Sequence, residues 1–359
     1  MAKFKPNFDW KHIDFSLTSC DLGVDLGTSN VLICAENKGL QIREPAVVAM
    51  DKNTGKIIQV GAAARNMLGR TPGNVVAMSP LKDGIISDHE MTVKMLQAMF
   101  RAAAETKIFA PKPRVVISVP SGVTEVEERS VINAAIDAGA RRVFLIEEPL
   151  AAALGAGLDI AGAKGHMVVD IGGGTTDIAV LTMNGVAVSS SLKVAGIAMD
   201  ELIIRYVRRN HGVVIGDTTA ENVKIQLGRA YPGTELQVMT VKGRDVKTGM
   251  PRQVEITSEE VTEILRRPLR QIADEVLAVL EQASPELVSD IAENGITLTG
   301  GTVQMWGMAE LMTERTGIQC VVADDPAACT AIGCGKSLSW IKTMSEGPIN
   351  IARKRAMHQ

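Results

Sequence analysis

Two short segments of this chain combine residue types that can hold a polyphosphate. They are Asp25-Leu26-Gly27-Thr28-Ser29-Asn30 and, in the other half of the chain, Asp170-Ile171-Gly172-Gly173-Gly174-Thr175-Thr176-Asp177. In each segment an aspartate follows an apolar run, and glycine and hydroxyl residues come next. Glycine lets backbone N–H groups approach an anion closely, and the hydroxyls add further donors. Each segment therefore predicts a phosphate-binding turn between two β-strands.

The aspartates that begin the two segments, Asp25 and Asp170, predict a metal ion. A carboxylate repels phosphate unless a cation lies between them. Carboxylates that hold the water shell of a phosphate-bridging Mg²⁺ avoid this repulsion. An ordinary hairpin with an Asp-initiated turn explains either segment alone about as well. Because the same order of residue types occurs twice, the pair predicts a clamp that closes on a nucleotide from two sides.

Length and hydrophobic pattern indicate the elements that position these segments. A chain of 359 residues is long enough for two domains, each with its own core. Short runs rich in Val and Ile predict strands, and apolar residues spaced three and four apart predict helices, so the fold class is α/β. The predicted strands cover 31–35, 46–50, 115–119, 168–171 and 178–182, and the predicted helices cover 91–105, 125–138, 199–210, 219–227, 258–282 and 305–316.

Local signals refine three of these elements. Thr124 and Glu127 have the spacing of a capping box, and Ser258 before two glutamates is typical of a helix start. Pro268 predicts a bend or a break in the helix over 258–282. Residues 238–256, with glycines and a proline between strand-like pieces, predict a hairpin.

Composition excludes several classes of function. A net charge of −3 disfavours nucleic-acid binding, which needs a basic surface. Five cysteines, an odd number without a CxxC pair, predict neither a disulfide framework nor a zinc site and favour a reducing cytoplasm. The sequence lacks an apolar run of about 18 residues, so we expect neither export nor a transmembrane helix.

Four further segments carry a resemblance to a known family. They are Gly69-Arg70-Thr71-Pro72-Gly73-Asn74, Pro80-Leu81-Lys82-Asp83-Gly84, Val119-Pro120-Ser121-Gly122-Val123-Thr124-Glu125-Val126-Glu127 and Ile146-Glu147-Glu148-Pro149-Leu150-Ala151-Ala152-Ala153. With the two phosphate segments, they resemble MreB, the bacterial actin family, within the superfamily of actin, hexokinase-type sugar kinases and heat-shock chaperone ATPases. The resemblance covers residues 21 to 341 and implies an actin-like ATPase fold.

The resemblance implies two duplicated RNase H-like domains around a nucleotide cleft, each with an inserted subdomain. Domain I covers 21–160, with an insertion at about 45–90, and is completed by a C-terminal helix at about 328–345. Domain II covers 161–327, with an insertion at about 205–260. An N-terminal tail, 1–20, and a basic tail, 346–359, flank the two domains.

Glu148 is the candidate for hydrolysis. The resemblance implies that a polar residue here orients the water that attacks the γ-phosphate, and a carboxylate can accept a hydrogen bond from that water. Judged by residue type alone, Glu147 and Glu148 equally suit a helix start before Pro149, where the helix dipole attracts acids. The implied catalytic set is Glu148, Asp170 and Thr176.

The ribose and base sides of the nucleotide are assigned to two further segments. Leu298-Thr299-Gly300-Gly301-Thr302 resembles the adenosine turn, although the family usually has a third glycine where this chain has Thr302. A β-branched residue tolerates positive φ poorly, so either the turn shifts or this position does not need that conformation. The stretch from Glu221 to Lys224 matches an acid-x-x-Lys pattern over the ribose, and it is also compatible with a surface ion pair on a helix.

The implied ligands are ATP and Mg²⁺, with Asp25 and Asp170 holding the metal through water. Asp177 stands where the family usually has Glu, while other members of the superfamily have Asp. The implied nucleotide-binding residues are Asp25, Gly27, Thr28, Ser29, Asn30, Gly172, Gly173, Gly174, Thr175, Glu221, Asn222, Val223, Lys224, Gly300, Gly301, Thr302 and Val303.

Two segments are candidates for membrane contact, which the resemblance implies. The N-terminal aromatics Phe4, Phe8, Trp10 and Phe15 are mixed with basic residues, a composition that suits a lipid interface or equally a flexible tail. The loop Ile108-Phe109-Ala110, flanked by basic residues, fits either a membrane-facing loop or a buried entry into the next strand.

The implied function is that of a cytoskeletal ATPase. ATP closes the cleft, the closed form assembles head to tail into paired protofilaments, and hydrolysis relaxes the filament. The expected partners are further copies of the chain, the inner membrane surface, transmembrane scaffold proteins and cell-wall synthesis proteins, and the expected location is the cytoplasmic face of the membrane. The implied role is maintenance of rod shape. The alternatives are a plasmid- or organelle-positioning filament and a metabolite kinase, for which we find no candidate base in the cleft.

Overall fold

The structure is a computed structural model that describes residues 21–36, 38–104, 112–231, 233, 235–341 and 349–350. In the first half the strands are β1 (Leu22–Leu26), β2 (Asn30–Ala35), β3 (Gly39–Pro45), β4 (Val48–Asp51), β5 (Ile57–Val60), β6 (Val75–Met78), β7 (Leu81–Lys82), β8 (Ile85–Ile86), β9 (Arg114–Val119) and β10 (Arg142–Glu147). The helices of this half are α1 (Ala62–Arg65), α2 (His89–Ala104), α3 (Glu125–Asp137) and α4 (Glu148–Ala156).

The second half contains the remaining elements. Its strands are β11 (His166–Ile171), β12 (Thr176–Thr182), β13 (Gly185–Leu192), β14 (Val213–Val214), β15 (Val238–Asp245), β16 (Pro251–Thr257), β17 (Ile296–Thr299), β18 (Cys320–Val322) and β19 (Ile349–Asn350). Its helices are α5 (Gly196–Tyr206), α6 (Asp217–Leu227), α7 (Ser258–Gln282), α8 (Pro285–Asn294), α9 (Met308–Thr316) and α10 (Cys329–Ile341), with a π-helix at Val207–His211 and 3₁₀ turns at Gly301–Gln304 and Pro326–Ala328.

The two large sheets have the same topology over five strands, and β19 adds a sixth strand to the first sheet. The first has the order β19-β10-β9-β1-β2-β3 and the second has the order β13-β12-β11-β17-β18. In each, three antiparallel strands that follow one another in the chain lie beside parallel strands: β9 and β10 next to β1, and β17 and β18 next to β11. Parallel neighbours need a crossover connection, so each half alternates sheet with helix. The repeat of the two phosphate segments is therefore part of a repeat of the whole sheet.

Smaller sheets extend from each half. In the first half β5-β4-β6 form one sheet and β7-β8 a short hairpin, and in the second half β14-β15-β16 form another. The hairpin predicted over 238–256 is confirmed as β15 and β16.

Each half has its own hydrophobic core, and a third cluster joins the halves. The first core includes Leu96 of α2, and the second includes Ile272 of α7. The third cluster contains Leu150 of α4 and Leu338 of α10, and it reaches Val116 in the first sheet and Val168 in the second. Fully burying a side chain of this size stabilises the fold by about 1.5–3 kcal/mol. Helices α4 and α10 therefore connect the two sheets behind the cleft.

The predicted strands and most predicted helices are confirmed. The Thr124 capping box forms, because Thr124 N donates to Glu127 Oε2 over 2.7 Å and Glu127 N donates to Thr124 Oγ1 over 3.3 Å. Helix α7 covers the predicted range, and its N-cap is Thr257, which forms a capping box with Glu260. Pro268 lies inside this helix, which continues without a break.

Two helices begin three residues away from the predicted start. Helix α5 begins at Gly196 rather than at residue 199, and its last turn widens into the π-helix before Gly212, which has φ 65°. The helix predicted from residue 305 begins at Met308, because Gly307 takes a left-handed conformation with φ 80° that interrupts regular helix. Both errors lie at glycines, where local pattern locates helix ends poorly.

In the described part of the chain, no helix has the length and apolarity needed to cross a membrane. The N-terminal aromatics, the loop over 108–110 and the C-terminal basic residues lie outside the described residues.

Candidate functional site

The turns of the two phosphate segments face each other across the cleft between the halves. The first connects β1 to β2, and the second connects β11 to β12. A Cβ placed on Gly173 would overlap the Ser29 side chain, and one on Gly174 would overlap the Thr28 side chain. These two positions therefore require glycine because the opposing hairpins touch. The structure brings together the segments that the sequence paired.

Helix α5 supports the second hairpin from the side. The Gly196 N–H donates to the Gly172 carbonyl over 3.2 Å, and the Ile197 N–H donates to the Gly173 carbonyl over 2.8 Å. These are N-terminal N–H groups of a helix, which have no partner within the helix itself. Thr176 is fully buried and donates to the Val194 carbonyl over 2.8 Å, just before α5. The backbone of the hairpin is thus held by its neighbours.

The turn between β7 and β8 also reaches the site. The Gly84 N–H donates to Thr28 Oγ1 over 2.9 Å, and Ser79 Oγ donates to the Thr28 carbonyl over 3.3 Å. A Cβ on Gly84 would lie 3.1 Å from Thr175 Cγ2, so this turn touches both hairpins. In the sequence, the segment from Pro80 to Gly84 carried only the family resemblance. Its Asp83-Gly84 pair, with φ of 50° and 76°, is a turn signal that could have drawn attention to it.

Four carboxyl groups lie where the hairpins meet. Asp25 Oδ1 accepts a hydrogen bond from Ser118 Oγ over 3.4 Å, and Asp170 Oδ2 accepts one from Thr330 Oγ1 over 2.7 Å. Asp170 is only 7% exposed, so the hydrogen bond from the Thr330 hydroxyl replaces part of the hydration that the carboxyl group loses on burial. Neither Ser118 nor Thr330 was predicted, because each is far from its partner in sequence.

The other two carboxyl groups, Asp177 and Glu148, link the halves. Asp177 is 1% exposed, and its Oδ1 accepts from the Ser121 N–H over 2.8 Å. Its Oδ2 is buried and has no hydrogen-bond partner among the described residues. Glu148 lies in the first turn of α4, as the helix-start interpretation requires, and it is near enough to Asp177, Asp25 and Asp170 for their charges to raise its pKa. Glu147 is the N-cap of α4 and accepts from Ser121 Oγ over 3.4 Å.

Burial gives these carboxyl groups unusual acidities. It raises the pKa of Asp25 to about 7, and the nearby Asp170 charge adds to the effect. Burial likewise raises the pKa of Asp170 to about 7, against the Thr330 hydrogen bond. The pKa of Glu148 is raised well above its usual value, first by burial and then by Asp177, Asp25 and Asp170. Carboxyl groups that resist ionisation in this way favour a cation among them.

The donor set fits a metal that binds through water. In the described ranges, no three His, Cys, Asp and Glu side chains are arranged to hold a metal directly. Mg²⁺ prefers oxygen ligands and commonly keeps several waters, with one or two carboxylates and the phosphates of a nucleotide completing its shell. Asp25 and Asp170, one at each hairpin, fit that arrangement.

The predicted adenosine turn packs directly onto the second hairpin. Gly300, which follows β17, has φ 90°, and a Cβ there would overlap the Ile171 carbonyl and the Asp170 carboxylate. Thr302 lies in the 3₁₀ turn and is absent from the described non-glycine residues with positive φ. The position therefore does not need a glycine conformation, and Thr302 causes no strain there. Its Oγ1 donates to the Gly172 carbonyl over 2.7 Å.

In helix α6, the predicted ribose-side residues Glu221 and Lys224 have partners in other elements and do not pair with each other. Lys224 Nζ binds Asp200 Oδ2 at 2.9 Å and the Gly196 carbonyl at 2.7 Å. Glu221 pairs with Arg65 instead, so a surface ion pair between Glu221 and Lys224 is the wrong interpretation. Two of the predicted nucleotide-binding residues, Val223 and Val303, have side chains in the hydrophobic core, whereas Asn222 is exposed.

The ion pair between Arg65 and Glu221 crosses the cleft. Arg65 ends α1 in the first half, and Glu221 belongs to α6 in the second. Both side chains are about one-third exposed. This contact ties α1 to α6, and the sequence contained no signal for it.

Fold and site together define an actin-like ATPase fold around a nucleotide cleft. The described structure aligns with the crystal structure of MreB5 of Spiroplasma citri bound to AMPPNP at a TM-score of 0.85 and 35% identity, over 90% of this chain and 97% of that one. The same protein bound to ADP aligns equally well. The MamK double helical filament, at 22% identity and a TM-score of 0.72, shares the fold.

Sequence comparisons identify the family. The chain matches the MreB/Mbl protein family over residues 19–346. It is 48% identical to the cell shape-determining protein MreB of Escherichia coli (strain K12) over 327 residues, which cover 90% of this chain and 94% of that protein. It is 44% identical to the cell shape-determining protein Mbl of Bacillus subtilis (strain 168) over 318 residues, which cover 89% and 95%. The chain belongs to the MreB/Mbl family, and both the family and the fold predicted from its motifs are confirmed.

Proposed function

We propose that this protein is a cell shape-determining cytoskeletal protein that binds ATP with Mg²⁺ and polymerises into actin-like filaments. The observation that carries the proposal is the pair of opposed hairpins, in which Gly173 and Gly174 touch Ser29 and Thr28 from the other half. Two phosphate turns that meet in this way hold a polyphosphate only when the halves are close together. Nucleotide state and the closure of the cleft are therefore coupled, and closure is what a head-to-tail assembly can recognise.

The residues of the site have different proposed roles. N–H groups and hydroxyls of the two hairpins bind the phosphates, and Asp25 and Asp170 hold the metal through water. Glu148, among the other carboxyl groups, orients the attacking water. Thr176 acts indirectly, by fixing the second hairpin to the Val194 carbonyl. When bound, the metal supplies positive charge that offsets charge on the transferring phosphoryl group.

The assembled form is proposed to be a pair of protofilaments on the cytoplasmic face of the cell membrane. The N-terminal aromatic residues and the loop over 108–110 are the candidates for lipid contact. Transmembrane scaffold proteins and cell-wall synthesis proteins are the proposed partners, through which the filament maintains rod shape. The relatives that are 44% and 48% identical are named cell shape-determining proteins, which favours this role over plasmid or organelle positioning.

Sedimentation of the purified full chain tests the proposal. Pelleting is measured without nucleotide, with ADP and with ATP, each with Mg²⁺. Asp170→Ala removes a metal-holding carboxylate, and Asp159→Ala, at an exposed position outside the site, is the matched control. We expect ATP-dependent pelleting that Asp170→Ala loses and Asp159→Ala keeps. Protein that stays in the supernatant in every condition would exclude the filament and call for a screen of kinase substrates.

Anionic vesicles added to the same assay test the proposed membrane contact. We expect the filaments to float with vesicles, and a Phe109→Ser variant or a chain without residues 1–20 to lose part of that flotation. Filaments that form with ATP but never float would exclude the membrane contact and leave the nucleotide-driven assembly in place.

A further inference from the structure

The carbonyl groups of the second phosphate hairpin are unusually well supplied with donors. The Gly172 carbonyl accepts from the Gly196 N–H over 3.2 Å and from Thr302 Oγ1 over 2.7 Å. The next carbonyl, Gly173, accepts from the Ile197 N–H over 2.8 Å. Only one of these three donors is a side chain. The hydrogen bond from the Thr302 hydroxyl is therefore the one that a side-chain substitution can remove.

Holding a carbonyl also fixes the N–H of the following residue. A trans peptide is planar, so its C=O and N–H point in opposite directions. A donor on the Gly172 carbonyl therefore turns the Gly173 N–H away from Thr302. Peptides between glycines rotate easily, since glycine adopts positive and negative φ with similar ease. Without such donors, the Gly172–Gly173 peptide has a greater choice of orientations, most of which do not aim its N–H at a phosphate.

The Thr302 hydroxyl makes its hydrogen bond to this peptide. A Cβ on Gly196 would lie 2.9 Å from Thr302 Oγ1 and 3.1 Å from Lys224 Nζ, so the hydroxyl is enclosed between α5, α6 and the hairpin. Lys224 Nζ donates to Asp200 and the Gly196 carbonyl and, as an ammonium group, cannot accept the proton of the Thr302 hydroxyl. The hydroxyl is thus committed to the hairpin. A glycine at position 302, the usual residue in the family, has no donor to offer there.

We propose that Thr302 is a positioning residue, whose hydroxyl locks the Gly172–Gly173 peptide with its N–H directed at the nucleotide phosphates. This inference rests on the proposed function, because it needs a nucleotide in the cleft. It makes a specific claim about the ligand. The hydroxyl strengthens binding of ATP and ADP through their phosphates and has no effect on binding of adenosine.

Titration of the full chain with ATP, ADP and adenosine tests the claim. Thr302→Val keeps the shape and removes the donor, whereas Thr302→Ser keeps the donor. Thr262→Val is the matched control, because Thr262 Oγ1 also donates to a backbone carbonyl, that of Ser258, over 2.7 Å. We expect Thr302→Val to weaken ATP and ADP binding about 3- to 10-fold, as the loss of one hydrogen bond implies, and to leave adenosine binding unchanged. Thr302→Ser and Thr262→Val should bind like the wild type.

A second measurement follows the peptide itself. Amide hydrogen exchange of the nucleotide-free protein should be faster at residues 172–174 in Thr302→Val than in the wild type, and unchanged in Thr302→Ser. Wild-type affinity for ADP in Thr302→Val, or an equal loss of adenosine affinity, would overturn the inference while the proposed function stands. A wild-type protein that binds neither ATP nor ADP would overturn both.

Discussion

Replacing Asp170 with asparagine should stabilise the nucleotide-free protein at pH 8 and leave its stability unchanged near pH 4. Burial is the main reason that the pKa of Asp170 is raised to about 7, with a smaller contribution from the Asp177 charge. Above pH 7 the folded protein must therefore keep a charge in an unfavourable place. Asparagine removes the charge, and its Oδ1 can still accept the 2.7 Å hydrogen bond from Thr330.

The size of the effect follows from the pKa. Asp170 goes from 3.8, its ordinary value, to about 7 on folding. A difference of one in pKa corresponds to about 1.4 kcal/mol, so the upper limit at pH 8 is about 4 kcal/mol. The Asp170 charge is also part of the reason for the raised pKa of Asp25, so the two carboxyl groups titrate together. Relaxation around a buried charge reduces the penalty further, and we expect about 1–3 kcal/mol.

The sign of the pH dependence is set by proton binding. Between about pH 4 and pH 7 the folded protein keeps a proton on Asp170 that the unfolded chain has released. The free energy of unfolding of the wild type therefore falls as pH rises through this range and levels off above the folded pKa. The variant lacks this contribution, so the difference between the two proteins should grow from zero at pH 4 to its full size at pH 8.

Urea unfolding at several pH values, without nucleotide and with a chelator, measures this difference. Asp159→Asn, the same substitution at an exposed position outside the site, is the control. A variant that is less stable than the wild type at pH 8, or a stabilisation that is equal at pH 5 and pH 8, would refute the reasoning. The gain in stability should be accompanied by weaker binding of ATP with Mg²⁺, since the lost carboxylate is the proposed metal-holding group.

Three further changes test the site. Glu148→Gln should slow ATP hydrolysis about 10²- to 10⁴-fold while leaving ATP affinity within about threefold, as phosphate release and titration would measure. Arg65→Ala removes the ion pair across the cleft. Because both side chains of the pair are partly exposed, its loss should cost about 0.5–1 kcal/mol and speed nucleotide release two- to fivefold, as stopped flow would measure. An unchanged release rate would contradict the contact. Gly174→Ala forces a Cβ onto the Thr28 side chain and should weaken ATP binding at least about tenfold, whereas Gly162→Ala, with open space around it, should not.

The sequence alone determined the features that depend on nearby residues. Alternating and helical apolar patterns located the strands and helices, because side-chain periodicity follows directly from backbone geometry. The Thr124 capping box was recognisable because its two residues lie three apart. The phosphate turns were recognisable because glycine and hydroxyl residues at fixed offsets carry their own conformational preference. Their repetition indicated both the duplicated fold and a ligand with phosphates.

The tertiary structure alone decided which residues complete the site. Thr330 reaches Asp170 across 160 positions of sequence, and Arg65 reaches Glu221 across 156. Thr302 shows the same limit: its residue type left open whether the turn shifts or does not need positive φ, and the structure shows the second, with a hydrogen bond from the hydroxyl to the Gly172 carbonyl. Local pattern carries no information about such partners, because they are set by how sheets pair and how the two halves pack. Residue types therefore specified the chemistry of the cleft, and packing selected which side chains hold it in position.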